Sequence, residues 1–269
     1  MEGEWKLKAL LLASTAVILS GTAFAADLSA RMPAKAPLAA SAPISWTGCY
    51  VGAHAGAGWG RSGVSDPNVA LFGASITPTS GDTIGIDGAG AVVGAQIGCD
   101  YQFANNWVIG LAGDFSWANI DASEIDPFFN GKSGGPIPLH AKTDSLAAAA
   151  GRVGYAWDHY LLYAKGGAAW VHNKYSFDNL ANFDSGFCAI GVGCFPTATE
   201  TRLGWTAGAG FEWAFANSWS AFAEFDYYGF GNRSVPFTSQ IGTSASYNVK
   251  QNFEVAKIGI NYRFGTLFH

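Results

Sequence analysis

The last patterned segment of the chain, residues 253–264, alternates between apolar and polar side chains. Its apolar positions are Ala256, Ile258, Ile260, Tyr262 and Phe264, and the positions between them are Lys257, Gly259, Asn261 and Arg263. A period of two residues predicts a β-strand with two different faces. In a soluble sandwich the polar face would contact water. In an outer-membrane barrel the apolar face contacts lipid, and the polar face points into a narrow lumen.

Segments of the same kind recur along the chain and predict its architecture. We expect eight strands, at about 47–60, 86–103, 107–120, 142–157, 160–175, 200–215, 219–230 and 248–264. Short breaks at 104–106, 158–159 and 216–218 alternate strictly with long breaks at 61–85, 121–141, 176–199 and 231–247. In an up-and-down meander this order puts all long loops at one end, which is typical of outer-membrane barrels. The pattern therefore predicts an all-β fold, an eight-stranded antiparallel up-and-down transmembrane β-barrel.

The tryptophans indicate where the membrane lies. Five are expected at the short-turn end, namely Trp46, Trp107, Trp157, Trp213 and Trp219. Four are expected at the long-loop end, namely Trp59, Trp117, Trp170 and Trp205. Because amphipathic rings prefer the headgroup level, this distribution predicts two aromatic belts around the barrel.

The opposite face of each predicted strand carries the polar residues. Besides His54 and Gln96, we expect a lumen network of ten charged residues: Asp100, Asp114, Arg152, Lys165, Arg202, Glu212, Glu224, Asp226, Lys257 and Arg263. Glycines such as Gly52, Gly110, Gly208 and Gly210 lie between them and leave space. An eight-stranded barrel has little free lumen, and charges buried in it must be paired. The sequence therefore predicts a barrel that is closed by salt bridges and does not conduct.

The N-terminal region has a different composition and predicts export. Residues 1–25 resemble a signal peptide, with an apolar segment at 9–20 and an A-x-A cleavage site at 23–25. The proline- and alanine-rich residues 26–45 are expected to be a periplasmic linker, followed by the barrel at 46–264 and a tail at 265–269. The net charge of −5 argues against a nucleic-acid-binding protein, because such proteins usually carry a basic surface.

Four cysteines would meet an oxidising compartment after export. Cys188 and Cys194 lie six residues apart in the third long loop, so we predict a local disulfide there. Cys49 opens the first strand and Cys99 lies near the end of the second, on the same lipid-facing parity. A second disulfide at the periplasmic rim is therefore geometrically feasible.

Four elements, at 46–52, 151–155, 163–167 and 257–264, resemble the small porin-family outer-membrane β-barrel proteins of rhizobia and brucellae. These are related in architecture to the transmembrane domain of OmpA. The resemblance implies an integral outer-membrane protein that contributes to envelope integrity and contacts lipid and lipopolysaccharide. It also implies surface loops open to host contact and, in some relatives, haem binding. In such barrels the assembly machinery reads a terminal aromatic, here Tyr262 or Phe264, although five further residues follow.

The chain offers little enzyme chemistry. Residues 131–133 read Gly-Lys-Ser, but position 126 is Asp126 and the surrounding segment is a loop, so this is not a phosphate-binding motif. The five histidines have no metal-ligand spacing, and we expect neither an enzyme nor an obligatory cofactor.

A haem site remains conceivable among aromatic and histidine residues at the loop end: Phe128, Phe129, His140, His172, Phe177, Phe183, Phe187 and Phe195. Three functional classes stay open: a structural envelope protein, a haem-binding or adhesive surface protein, and a small-solute porin.

Overall fold

Eight antiparallel strands form a closed ring in the order of the chain. The structure, a computed structural model, describes residues 44–65, 83–125, 138–177, 197–238 and 244–264. The strands are β1 (Gly48–Ser65), β2 (Thr83–Gln102), β3 (Trp107–Ile125), β4 (Pro138–Trp157), β5 (Tyr160–Phe177), β6 (Thr197–Ala216), β7 (Trp219–Thr238) and β8 (Ser244–Phe264). Pairing of β1 with β8 closes the ring, and the predicted eight-stranded barrel is thus confirmed.

Several predicted features lie outside the described residues, among them the signal peptide and the tail at 265–269. Within the ranges given above, no helix is long and apolar enough to cross a membrane.

The strand ends at the short turns agree with the sequence prediction, but the strands run further at the loop end. β7 ends at Thr238 rather than 230, and β4 begins at Pro138 rather than 142. The predicted strands were too short because they ended where the alternation of apolar and polar residues ended. Above the membrane the outward-facing residues are polar, so the alternation is lost, but the backbones of neighbouring strands continue to pair. From Trp170, in the outer tryptophan belt, to its last residue Phe177, β5 rises roughly 18 Å, taking about 3.3 Å per residue and a tilt near 40°.

Two irregularities change which positions face the lumen. The register of β4 shifts between Thr143 and Ser145. In β7 it shifts near Gly231, whose φ of 64° suits glycine. A β-bulge adds one residue to one strand and so reverses the alternation beyond it. Leu146 is accordingly buried on the periplasmic side of the first bulge, and Thr143 is buried on the extracellular side.

Eight of the nine belt tryptophans face outward, with 40–61% of their surface exposed. Trp46 does not, and its assignment to the belt was wrong: it is 1% exposed and sits before β1 in the periplasmic mouth of the barrel. Its backbone N–H donates to Gln102 Oε1 at 2.8 Å, and its carbonyl accepts from Arg263 Nη1 at 2.7 Å. The segment before β1 thus folds inward, where the periplasmic ends of β2 and β8 supply it with hydrogen-bond partners.

Candidate functional site in the barrel lumen

Four charged side chains form a lower ion cluster near the periplasmic end: Asp100, Arg152, Glu212 and Arg263. Arg152 Nε donates to Asp100 Oδ1 at 2.6 Å, and Arg152 Nη2 contacts Oδ2 of the same carboxylate. Arg152 Nη1 lies 3.4 Å from Glu212 Oε2. Arg263 Nη1 lies 3.0 Å from Asp100 Oδ2, and its Nη2 lies 3.7 Å from Glu212 Oε1. Each guanidinium meets both carboxylates, so the four charges are balanced within the cluster.

Aromatic rings and neutral donors hold the lower ion cluster in place. The Arg152 guanidinium carbon lies 4.7 Å from the centre of the Tyr50 ring and 4.9 Å from that of Tyr163. Stacking of this kind suits the flat, delocalised charge of arginine. Glu212 Oε1 also accepts from Ser220 Oγ at 2.5 Å and from Asn261 Nδ2 at 2.9 Å. The buried carboxylate therefore has partners besides the two arginines.

Five further charged residues form an upper ion cluster on the extracellular side of the first: Asp114, Lys165, Glu224, Asp226 and Lys257. Lys165 Nζ lies 3.4 Å from Asp114, 2.7 Å from Glu224 and 3.1 Å from Asp226. Lys257 Nζ lies 3.6 Å from Asp114, 3.0 Å from Glu224 and 2.7 Å from Asp226. The two ammonium groups thus share three carboxylates.

Glycines on intervening strands allow these contacts. Gly110 lies between Asp100 and Arg152 in one row across β2, β3 and β4. Gly208 lies between Lys165 and Asp226 in the same way across β5, β6 and β7. At both positions a methyl group would occupy the space of the neighbouring carboxylate. Because glycine has no side chain, residues two strands apart touch across it.

Two more rows use the same arrangement. Gly52 separates Gln96 from Asn261, and Gln96 Nε2 donates to Asn261 Oδ1 at 2.7 Å. Gly210 separates Tyr163 from Glu224, and the tyrosine hydroxyl donates to Glu224 Oε2 at 2.8 Å. From the sequence, these glycines were expected only to leave space between the charged residues. The structure shows that each one permits a specific polar pair.

His54 occupies the lumen beside the upper ion cluster, as its parity suggested. One ring nitrogen, Nε2, lies 2.8 Å from Ser116 Oγ, and both side chains are buried. Ser116 follows Asp114 by two residues on the same face of β3.

One of the ten charged residues expected in a common network lies apart from it. Arg202 is buried nearer the extracellular end, where its Nη2 lies 2.5 Å from Glu200 Oε1 and its Nη1 donates to the Val249 carbonyl at 2.7 Å. Glu200 was not predicted to face the lumen because it stands at the first residue of the predicted strand. Its parity with Arg202 was the available signal. The other nine residues lie in the two ion clusters.

An apolar layer, also missed, separates Arg202 from the ion clusters. It consists of the buried side chains of Val92, Ala118, Ile120, Leu146, Ala148, Ala169, Val171, Tyr228, Phe230, Phe253 and Val255. The rings of Phe230 and Phe253 pack edge to face with 5.9 Å between their centres. All of these residues occupy lumen parity further along the same strands, but the predicted lumen network contained only charged and polar residues and glycines. From the periplasmic end upward, ionic and apolar layers therefore fill the barrel.

The periplasmic rim holds the remaining candidates that the structure describes. Cys49 and Cys99 are register partners on β1 and β2 and form a disulfide. Tyr262 and Phe264 face outward at the end of β8, and the Tyr262 ring lies 5.0 Å from that of Trp219. Cys188 and Cys194 lie outside the described residues.

The suggested haem ligands are only partly described. His140 and His172 lie on β4 and β5, and His172 Nδ1 is 3.0 Å from Thr201 Oγ1. Phe128, Phe129, Phe183, Phe187, Phe195 and the side chain of Phe177 lie outside the described residues, so the aromatic part of this candidate has no described geometry.

Comparison with known proteins places this barrel in a family. The model of the outer membrane protein β-barrel domain family matches residues 22–264. The chain belongs to this family. Its membership in the outer membrane protein β-barrel domain family confirms the outer-membrane location and the resemblance noted in the sequence. The lipid-facing surface is accordingly surrounded by outer-membrane lipid and lipopolysaccharide.

Two curated relatives within this outer-membrane group are similar over nearly their full length. The 31 kDa outer-membrane immunogenic protein of Brucella melitensis is 29% identical over 260 residues, covering 96% of this chain and 100% of the relative. The 25 kDa outer-membrane immunogenic protein of Brucella abortus is 29% identical over 264 residues, covering 96% and 99%.

Solved structures of outer-membrane proteins match the chain at lower similarity. The outer membrane protein OprG from Pseudomonas aeruginosa is 15% identical, with 81% of this chain and 96% of that chain covered and a TM-score of 0.45. The attachment invasion locus protein Ail of Yersinia pestis is also 15% identical, with 80% and 99% covered and a TM-score of 0.34.

Proposed function

We propose that this protein is a structural component of the outer membrane, a sealed barrel that contributes to envelope integrity and carries loops on the cell surface. The observation that carries the proposal is the filled lumen. The lower and upper ion clusters and the apolar layer above them occupy successive levels of an eight-stranded barrel. A diffusion channel needs a continuous aqueous path. The described side chains fill the lumen, which favours a structural role over a channel.

The same features suit a rigid membrane element. All strands pair around a closed ring, so no strand edge is left to meet lipid. Outward-facing aromatic residues at both ends hold the barrel at a fixed height in the bilayer. Polar pairs that reach across an intervening glycine link two strands that are separated by a third. The barrel would therefore resist deformation of the surrounding membrane.

Display of the loops is the second part of the proposal. The strands continue well beyond the outer tryptophans, which would carry the long loops away from the lipid surface. Two relatives bear the name outer-membrane immunogenic protein, which supports surface exposure in this group. Contact with a host surface, or with a ligand such as haem, would then fall to the loops rather than to the lumen.

A deletion strain of the native bacterium tests the structural role against its alternatives. Loss of envelope integrity should raise uptake of a hydrophobic dye and sensitivity to detergent, and the intact gene should restore both. A strain that instead shows slower uptake of small hydrophilic solutes, with an unchanged detergent response, would favour the porin. A stoichiometric absorption change on titration of the purified protein with haemin would favour the haem-binding alternative.

A further inference from the structure

Two lysines face each other on the outer wall of the barrel, above the membrane. Lys142 on β4 and Lys174 on β5 are register partners, so their side chains leave the sheet side by side on the same face. Their side chains are 47% and 58% exposed. Like charges placed directly opposite each other on neighbouring strands destabilise a sheet unless an anion lies between them.

The height of this pair matches the headgroup layer of the outer leaflet. Lys174 lies four residues beyond Trp170, a member of the outer tryptophan belt, and both residues face outward. At about 3.3 Å per residue and a tilt near 40°, the Lys174 backbone is roughly 10 Å above that of Trp170. Lysine side chains are long and flexible enough to reach back to the phosphates of a lipid headgroup.

A concavity of about 690 Å³ accompanies the two lysines at the extracellular ends of β3, β4, β5 and β6. Its lining includes Ser123, His140, Lys142, Lys174, Ser176 and Thr199. Ammonium groups recognise phosphate, and hydroxyl groups can exchange hydrogen bonds with the hydroxyls of a sugar. The space is large enough for a phosphorylated sugar rather than for a phosphate ion alone.

Two carboxylates paired with these lysines, Asp121 in the lining of the concavity and Asp144 beside Lys174, limit its affinity. Lys142 Nζ lies 3.9 Å from Asp121 Oδ1, and Lys174 Nζ lies 2.6 Å from Asp144 Oδ2. Exposed ion pairs of this kind contribute little and exchange readily. Each aspartate therefore competes with an incoming phosphate for one lysine, so removing the aspartates should raise the affinity for phosphate.

We infer that Lys142 and Lys174 form a binding site for the phosphorylated sugar headgroup of lipid A, the membrane anchor of lipopolysaccharide. The site rests on the outer-membrane location and not on whether the barrel conducts. Its occupant is the outer-leaflet glycolipid, because the lysines face the lipid side of the wall at headgroup height. A phosphate from solution would share the charge chemistry but not the sugar.

Native mass spectrometry of the folded barrel, titrated with diphosphoryl lipid A from detergent micelles, tests this site. The variant Lys142→Gln/Lys174→Gln should bind at least about tenfold more weakly, since each lost charge-assisted hydrogen bond is typically a factor of about ten or more. The matched control is Arg61→Gln/Lys250→Gln. It removes the same charge from β1 and β8, where Lys250 lies four residues beyond the position that pairs with Trp59. This control should bind like the wild-type protein.

A second variant separates direct phosphate contact from other modes of binding. Asp121→Asn/Asp144→Asn should bind lipid A more tightly, because both lysines lose a competing carboxylate. Weaker binding by this variant would overturn the proposal, since it would indicate that the carboxylates hold a bridging cation. Equal loss in the lysine variant and its control, equal binding of phosphatidylglycerol, or displacement by millimolar inorganic phosphate would also overturn it. Heat-modifiable migration on a gel checks that every variant is folded.

Discussion

Arg152 and Asp100 form a two-point ion pair although β3 separates their strands. Arg152 Nε lies 2.6 Å from Asp100 Oδ1, and the pair passes over Gly110, which stands between them in the same row of the sheet. Both side chains are at most 3% exposed. A buried pair of this kind depends on both partners, because removal of either one leaves the other buried with one counter-charge fewer.

Replacing Arg152 with alanine should therefore destabilise the barrel strongly. Asp100 and Glu212 would keep only Arg263, and the expected loss is roughly 3–5 kcal/mol of unfolding free energy. Urea unfolding in lipid vesicles, followed by tryptophan fluorescence, measures it. Arg61→Ala is the control, because Arg61 pairs with Glu254 at 3.5 Å on the exposed surface and should cost less than about 1 kcal/mol. Similar losses in the two variants would contradict the importance assigned to the lower ion cluster.

Gly110→Ala should weaken the same ion pair without removing a charge. The new methyl group would compete for space with the Asp100 carboxylate, and overpacking of this kind costs about 1–3 kcal/mol. Gly113→Ala, three residues further on the same strand, is the matched control because its methyl group would lie 3.7 Å from the nearest neighbouring atom. We expect the control to unfold at nearly the wild-type urea concentration. Equal effects would mean that the missing side chain at Gly110 has no special role.

The upper ion cluster should respond unequally to loss of a carboxylate and loss of an ammonium group. It holds Asp114, Glu224 and Asp226 against Lys165 and Lys257, so Asp226→Asn leaves two charges of each sign. We expect this change to alter stability by less than about 1 kcal/mol, whereas Lys257→Met should cost roughly 3–5 kcal/mol. The same urea titration compares the two variants. An Asp226→Asn variant as unstable as Lys257→Met would show that all three carboxylates are needed.

The disulfide between Cys49 and Cys99 should be present in protein isolated from the outer membrane. Its loss through Cys49→Ser/Cys99→Ser should lower the unfolding free energy by about 2–4 kcal/mol, mainly because the unfolded chain regains freedom. Non-reducing peptide mapping detects the link, and finding both residues alkylated in the native protein would contradict it. The same map tests the predicted link between Cys188 and Cys194, for which alkylated Cys188 would be the contrary result.

Purified wild-type barrel should not conduct in a planar lipid bilayer. Side chains of the lower and upper ion clusters meet across the lumen, and the apolar layer beyond them offers water no side-chain partner except the Tyr228 hydroxyl, which lies 3.4 Å from Asp226 Oδ2. Arg152→Ala is the informative comparison, since it removes one of the two guanidinium groups of the lower ion cluster and should admit more water. Steady, large unitary currents from the wild-type monomer would instead support the porin alternative.

The sequence alone was sufficient to predict the barrel. Residues alternate along each strand because a strand in a membrane presents one face to lipid and the other to the lumen. The long and short loops are sorted because the strands run up and down in chain order. The eight outer tryptophans lie near the strand ends because their rings prefer the headgroup level. The tight turns were equally legible: Asn106 and Asp158 have positive φ values, which these residue types tolerate better than most. Trp46 was misplaced because it precedes the first strand, where no alternation constrains it.

Parity assigned charged residues to the lumen, but it could not pair them. Which carboxylate meets which cation depends on the stagger between strands and on the two bulges, and neither is encoded in a period of two. For this reason the sequence did not show that Arg202 and Glu200 pair with each other apart from the ion clusters. It also did not show the apolar layer that lies between that pair and the ion clusters. The roles of the lumen glycines also depend on register, because a glycine permits a contact between its two neighbouring strands only where the register sets the three residues side by side. For Gly110, Gly208 and Gly210 these are consecutive strands, whereas for Gly52 the contact also requires β8 to close the ring against β1.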